Sequence, residues 1–270
     1  MIHDVDGARF AWRECGDGSI VALFHGLGGS RISWEPQLHG LSDRWRVAAW
    51  DLPGYGNSAP LPDEPYTFHA LASAAAGWIT ELGAQKVHVV GISMGGMIAQ
   101  YLAAWHPDRV RSLTLLSTRP RFGRAGTLPE TWRAARLAPL DDGQEPADFA
   151  EVVLRGIAGP QISAPALEGQ RAAMARISGA ALRRSINCLV THDTRRLLPL
   201  IKQPTLLLVG EFDQETPPEY AEYLLEHLPH ARLVIVPHAG HLLNVEAPEQ
   251  VNRLIAEHLV AHPIIDLEAS

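Results

Sequence analysis

Gly91-Ile92-Ser93-Met94-Gly95 sets a serine hydroxyl between two glycines. The apolar run Val87-His88-Val89-Val90 precedes it, and a helix-forming stretch follows. A strand, a tight turn and a helix in that order hold a serine in strained backbone geometry with its Oγ exposed. The new helix aims its free N–H groups at the place where negative charge would develop. Gly91 and Gly95 remove Cβ atoms where strand and helix backbones nearly touch. The chemistry implied is nucleophilic attack, which needs partners. A serine is a poor nucleophile until a base takes its proton. A histidine suits that task when a carboxylate fixes its tautomer. The chain offers Glu211, Asp213 and Glu215 after the run Leu206-Leu207-Leu208-Val209, and His238 and His241 after Val234-Ile235-Val236. Both groups fall in loops at the ends of apolar strands, where open α/β sheets hold ligands.

The elements that must position these residues alternate. Residues Asp4 to Arg13 read as a hairpin around Asp6-Gly7, and Ile20-Val21-Ala22-Leu23-Phe24 as a strand buried on both faces. That strand runs into the glycine-rich His25-Gly26-Leu27-Gly28-Gly29-Ser30. The next strand, Arg46 to Trp50, leads into a turn-rich loop from Asp51 to Ser58. Thr67 is a suitable N-cap for a helix reaching Leu82, with Gly83 as its stop. The helix after Ser93 should end at Trp105, because Pro107 disfavours helical geometry in His106. Val110 to Leu116, Thr205 to Val209 and Arg232 to Val236 are further strands, and a last helix runs from Pro248 to Val260. Strands alternating with helices predict an α/β class with a mainly parallel sheet. Residues 119–200 break the pattern with Ala- and Arg-rich helical segments divided by Gly-Pro and Ala-Pro pairs. The expected organisation is a core of residues 1–118 and 201–270 with a helical cap, 119–200, inserted between two strands.

Bulk properties exclude several classes. The 270 residues carry a net charge of −7, which argues against a non-specific nucleic-acid binder. Cys15 and Cys188 match no metal or redox spacing. The opening Met1-Ile2-His3-Asp4-Val5-Asp6 lacks the basic and apolar regions of a secretory signal. No apolar run approaches the roughly 18 residues of a membrane span. The expectation is a soluble, cytoplasmic protein without metal or cofactor, a monomer or homodimer, acting on a small molecule and not on nucleic acid or membrane.

On the glycine loop after Phe24, the Gly91–Gly95 turn, Gly210-Glu211-Phe212-Asp213 and Ala239-Gly240-His241, the chain resembles α/β-hydrolase-fold enzymes from Val21 to Val260. The resemblance implies Ser93 as nucleophile, Asp213 as orienting acid and His241 as general base. It implies an oxyanion hole from the backbone N–H groups of Leu27 and Met94. It leaves His238 and His25 structural, His25 as a brace of the oxyanion loop, and Asp51 as loop structure. Serine at the turn, where relatives that open epoxides or remove halides carry aspartate, turns the reading away from those branches. Ile92 to Ile98 and His241 to Glu246 are similar to 3-oxoadipate enol-lactonases and related small carboxylesterases. The implied reaction is hydrolysis of a carboxylic ester or lactone. Two other activities on the same fold are C–C bond hydrolysis of ring-fission products and cofactor-independent oxygenation. The first often has Asn before the serine and Trp after the histidine; here Ile92 and Leu242 stand there.

Substrate contacts are expected from the cap. Residues 119–200 contain twelve Arg, no Lys and eight acidic residues. Arginine is the better partner for a carboxylate. Arg121, Arg124 and Arg133 are the candidates for drawing in an anionic substrate. Trp34, Trp132, Phe149 and Met174 are the candidates for an apolar pocket.

Overall fold

The computed structural model describes residues 1–62, 65–123 and 128–264. Strands β1 (His3–Asp6) and β2 (Ala11–Cys15) form an antiparallel hairpin. They are followed by β3 (Ile20–Phe24), α1 (Glu35–Leu41), β4 (Arg46–Trp50), α2 (Phe68–Glu81), β5 (Val87–Ile92), α3 (Met94–Trp105) and β6 (Val110–Leu116). The chain then becomes helical through α4 (Pro129–Asp141), α5 (Pro146–Ile157), α6 (Ala164–Met174) and α7 (Gly179–Leu189), called the cap below. It closes with β7 (Thr205–Gly210), α8 (Pro218–His227), β8 (Ala231–Val236), α9 (Leu243–Glu246) and α10 (Pro248–Ala261). The eight strands form one sheet in the order β1-β2-β4-β3-β5-β6-β7-β8, parallel from β4 onward.

The side-chain pattern explains this layering. β3, β5 and β7 are buried along their whole length, as parallel strands covered by helices on both faces must be. Side chains alternate between faces. Ala22 and Phe24 of β3 enter the larger core with α2, α3 and the cap, while Val21 and Leu23 enter the smaller core with α1 and α10. β8 is an edge strand and stays partly exposed. In the larger core, Phe24 packs on Trp50 at 4.9 Å between ring centroids, and Trp50 stacks on Trp78 at 5.2 Å. Such aromatic pairs contribute about 0.5–1.5 kcal/mol each beyond their buried area. Thr67 Oγ1 accepts the Ala70 N–H at 3.2 Å and caps α2.

Strand order reverses around β3, which lies between β4 and β5. Ligands gather at such switch points. Phe24 pairs with Gly91, so β3 and β5 end at the same level. The glycine loop after β3 and the serine turn after β5 therefore meet: a Cβ on Gly26 would lie 3.0 Å from Ser93 Cβ. Among the described residues no helix is long and apolar enough to cross a membrane.

Candidate active site

Ser93 joins β5 to α3 with φ 54° and ψ −120°, a conformation an L-residue adopts only under constraint. The constraint is visible. Its N–H donates to Leu116 O at 2.9 Å, and its carbonyl accepts from Thr118 Oγ1 at 2.8 Å and Met97 N–H at 3.0 Å. A Cβ on Gly91 would meet Gly95 O at 2.5 Å, and one on Gly95 would run into the Phe24 carbonyl. Both glycines are thus required by the close approach of strand, helix and neighbouring strand.

Asp213 and His241 meet across the ends of β7 and β8. His241 Nδ1 donates to the Asp213 carboxylate, at 3.0 Å to Oδ2 and 3.1 Å to Oδ1. Asp213 Oδ1 also accepts the N–H groups of Glu215 and Thr216 at 3.0 and 2.8 Å, and Oδ2 accepts the Thr216 hydroxyl at 2.7 Å. This is an aspartate turn, in which the side chain receives the backbone two and three residues on. Burial is the largest influence on Asp213 and pushes its pKa up. The His241 charge and the hydrogen bonds from His241 and Thr216 outweigh it, so the carboxyl lies below its ordinary value. For His241, burial pushes the pKa down, but the Asp213 charge and hydrogen bond win and hold the imidazole above its ordinary 6.5.

Ser93 and His241 line one cavity of about 320 Å³. Among the described residues no hydrogen bond joins Ser93 Oγ to the imidazole. Such contacts often tighten only when substrate is bound. Gly26, Leu27, Gly28 and Gly29 form another part of the wall. Leu27 N–H has no acceptor among the described residues, and Met94, the first residue of α3, has none four residues back. His25 is fully buried: Nδ1 donates to Gly26 O at 2.9 Å and Nε2 accepts Leu52 N–H at 3.0 Å. Those bonds fix one neutral tautomer, and burial lowers its pKa, as a brace for the glycine loop requires.

None of the alternative acids and bases takes part in the Asp213–His241 hydrogen bond. Glu211 and His238 are exposed and bonded to each other, with His238 N–H donating to Glu211 Oε2 at 3.0 Å. Glu215 lines the cavity, where it receives Arg136 Nη2 at 2.9 Å and lies 3.5 Å from Arg119 Nη2. Asp51 is fully buried and accepts Arg31 N–H at 2.9 Å. It also ion-pairs with Arg176 at 3.1 Å, which pins the cap to the core.

The expected substrate contacts divide. Trp132, Phe149 and Met174 line the cavity. Trp34 does not: it is wholly buried in the smaller core with Leu38 and Leu41, while the preceding residue, Ser33, faces the cavity. Arg121 is exposed and bridges to Asp193. Arg133 is exposed and pairs with Glu130 at 2.8 Å. Neither lines the cavity, and Arg124 lies outside the described residues. Among the described residues, the arginines that do are Arg119 and Arg136. Helix phase decides this: Trp132, Ala135, Arg136 and Pro139 share the inner face of α4, and Arg133 projects from the other. Thr118, Arg119 and Arg136 carry no signal in their sequence context. Thr216 had a signal, its place three residues after Asp213 in a turn. Among the described residues no cluster of His, Cys, Asp and Glu could hold a metal ion.

The profile of the alpha/beta hydrolase fold family matches residues 20–248. A pimeloyl-[acyl-carrier protein] methyl ester esterase of Neisseria meningitidis is 34% identical over 229 residues, 82% of this chain and 86% of that protein. Among solved structures, a thermophilic esterase from Thermogutta terrifontis superposes with a TM-score of 0.84 at 29% identity, covering 97% of this chain and 100% of its own. The enol-lactonase from Burkholderia xenovorans LB400 superposes with a TM-score of 0.84 at 25% identity, over 96% of this chain and 100% of its own. The resemblance to small esterases and enol-lactonases expected from the motifs is therefore met over nearly the whole length. The chain belongs to the α/β-hydrolase fold family.

Proposed function

We propose that this ester hydrolase works through an acyl-enzyme on Ser93, with His241 as general base and Asp213 as its orienting acid. The observation that carries the reading is the Asp213–His241 hydrogen bond opening onto the cavity that also contains the strained serine. Ser93 Oγ attacks the carbonyl carbon as His241 Nε2 takes its proton. The resulting oxyanion is held by the N–H groups of Leu27 and Met94, each of which is worth about 2.7–4 kcal/mol of barrier in such sites. His241 then gives the proton to the leaving alkoxide. Water, deprotonated by the same nitrogen, attacks the acyl-enzyme and frees the acid. A lactone is an internal ester and passes through the same steps.

The substrate we assign is an ester with an apolar acyl chain of moderate length and a small alcohol. A volume of about 320 Å³ is at the small end of ligand pockets. Its wall is mostly apolar, with Met97, Trp132, Phe149, Leu154, Met174 and Leu182. The methyl ester named for the Neisseria relative supports the same choice. Arg119, Arg136 and Glu215 leave one net positive charge at the wall, which favours an acyl chain ending in a carboxylate. The test is a series of methyl esters of increasing chain length, with and without a terminal carboxylate, on wild type and Arg136→Gln. A kcat/KM optimum at intermediate length, and loss of the carboxylate preference in the variant, are expected. Equal turnover across the series, or a preference untouched by Arg136→Gln, would overturn the assignment.

A further inference from the structure

The loop that carries His241 is fastened to the cap as well as to the sheet. His241 N–H donates to Ile157 O, at the end of α5, at 3.0 Å. The N–H groups on either side, Gly240 and Leu242, both donate to Glu246, at 2.8 Å to Oε2 and 2.9 Å to Oε1. The same Oε2 accepts Gly159 N–H from the cap at 2.8 Å. One carboxylate thus gathers both neighbours of His241 and a cap residue 87 positions away. The backbones it joins are in close contact. A Cβ on Gly159 would run into the Glu246 carboxylate and lie 2.5 Å from Gly240 N. Glu246 itself is not among the residues lining the cavity, so whatever it does for the reaction it does through the loop.

A purely local brace would need only Gly240 and Leu242, which lie within six residues of Glu246. The bond to Gly159 has no local purpose. We infer that Glu246 is a positioning residue for the general base: its carboxylate locks the His241 loop to the cap, so one group sets both the cap over the cavity and the pose of the imidazole. The inference rests on His241 being the base, as proposed above. An ionised carboxylate suits the place because it only accepts, and every group facing it here is a donor.

Glu246→Gln keeps the shape and removes this match. An amide has one acceptor oxygen, so its NH₂ must face either the Gly159 and Gly240 pair or Leu242. The imidazole then loses its registration with Ser93. The expected result with a p-nitrophenyl ester is a kcat lower by about 10- to 100-fold, the scale of an ångström-sized misplacement. KM should move less than kcat, because no residue that lines the cavity is itself replaced. The rate of Ser93 labelling by a fluorophosphonate should fall with kcat. Gly159→Ala perturbs the lock from the cap side, leaves the His241 loop sequence intact, and should give the same kcat-selective loss. Circular dichroism and Tm establish that each variant is folded. A folded Glu246→Gln with kcat within about twofold of wild type overturns the proposal. So does a fall carried wholly by KM. Should Glu246→Gln not fold, Gly159→Ala decides on the same criteria. Wild-type protein that takes no label at all would be a failure of the acyl-enzyme reading, not of this one.

Discussion

Asp213→Asn tests how the carboxylate serves His241, and the structure dictates which way the amide must sit. Oδ1 of Asp213 receives two backbone N–H groups, from Glu215 at 3.0 Å and Thr216 at 2.8 Å. Only the amide oxygen can take that place. The NH₂ must then occupy the Oδ2 position, where it faces His241 Nδ1, now 3.0 Å from Oδ2. The amide oxygen at the Oδ1 place, 3.1 Å from Nδ1, is already taken up by two N–H groups, so the NH₂ decides: Nδ1 becomes an acceptor and the ring proton moves to Nε2. That tautomer cannot take the serine proton. The expected loss is about 10⁴ in kcat, the scale of removing the correct tautomer in a serine triad. At 1.36 kcal/mol per tenfold, this is about 5.4 kcal/mol of barrier. A second signature accompanies it. The Asp213 charge and hydrogen bond hold the His241 pKa above 6.5 against burial, so without them burial prevails and the acid limb of kcat/KM moves to lower pH. The assay is p-nitrophenyl butyrate hydrolysis from pH 5 to 9, with circular dichroism to show that the fold persists. A loss under about tenfold with an unmoved acid limb would refute the reasoning, and would point to a different orienting group.

Three further outcomes follow from the same geometry. With His241 as the proposed base, which must be neutral to act, kcat/KM should fall about tenfold per unit as pH drops below a value above 6.5, where the raised His241 pKa lies; an acid limb at or below 6.5 contradicts the Asp213 effect. Gly95→Ala places a Cβ against the Phe24 carbonyl, with no flexible side chain to yield, and should abolish activity and lower Tm measurably; normal Tm and turnover would contradict the close approach. Arg176→Gln leaves the buried Asp51 with Arg31 as its remaining cation. Arg176 is 28% exposed, so the cost is discounted to about 1–3 kcal/mol, below that of a fully buried pair. Urea unfolding reads it, and a change under about 0.5 kcal/mol would show that the cap is not pinned there.

The sequence signals that succeeded were local. β3, β5 and β7 are short apolar runs bounded by turns, and α2 is marked by Thr67 before it and Gly83 after it, so their types follow from a few adjacent residues. The α/β-hydrolase order adds their sequence along the chain. The turn at Ser93 is legible for the same reason, since strand, glycines and helix are contiguous. What the sequence hid depends on rotation about an axis. Arg133 and Arg136 look equivalent in α4, yet only the second shares a face with Trp132. Trp34 follows the glycine loop closely in sequence, but the short 3₁₀ turn from Arg31 to Trp34 sends Ser33 to the cavity and Trp34 into the smaller core. Glu246 could not be paired with Gly159 from sequence, because the two lie 87 positions apart and meet only through the tertiary fold. α1 and α8, which the pattern did not single out, are short and amphipathic and gain their place by packing against β4 and against β7 and β8.

The central claim is that Ser93 becomes acylated. The most direct measurement is pre-steady-state hydrolysis of p-nitrophenyl acetate, with mass spectrometry of quenched protein after reaction with a fluorophosphonate. A burst of nitrophenolate near one equivalent of enzyme and a mass adduct mapped to Ser93, both lost in Ser93→Ala, are predicted. Folded wild-type protein that shows no burst and no adduct, or an Ser93→Ala variant that keeps turnover, would contradict the account.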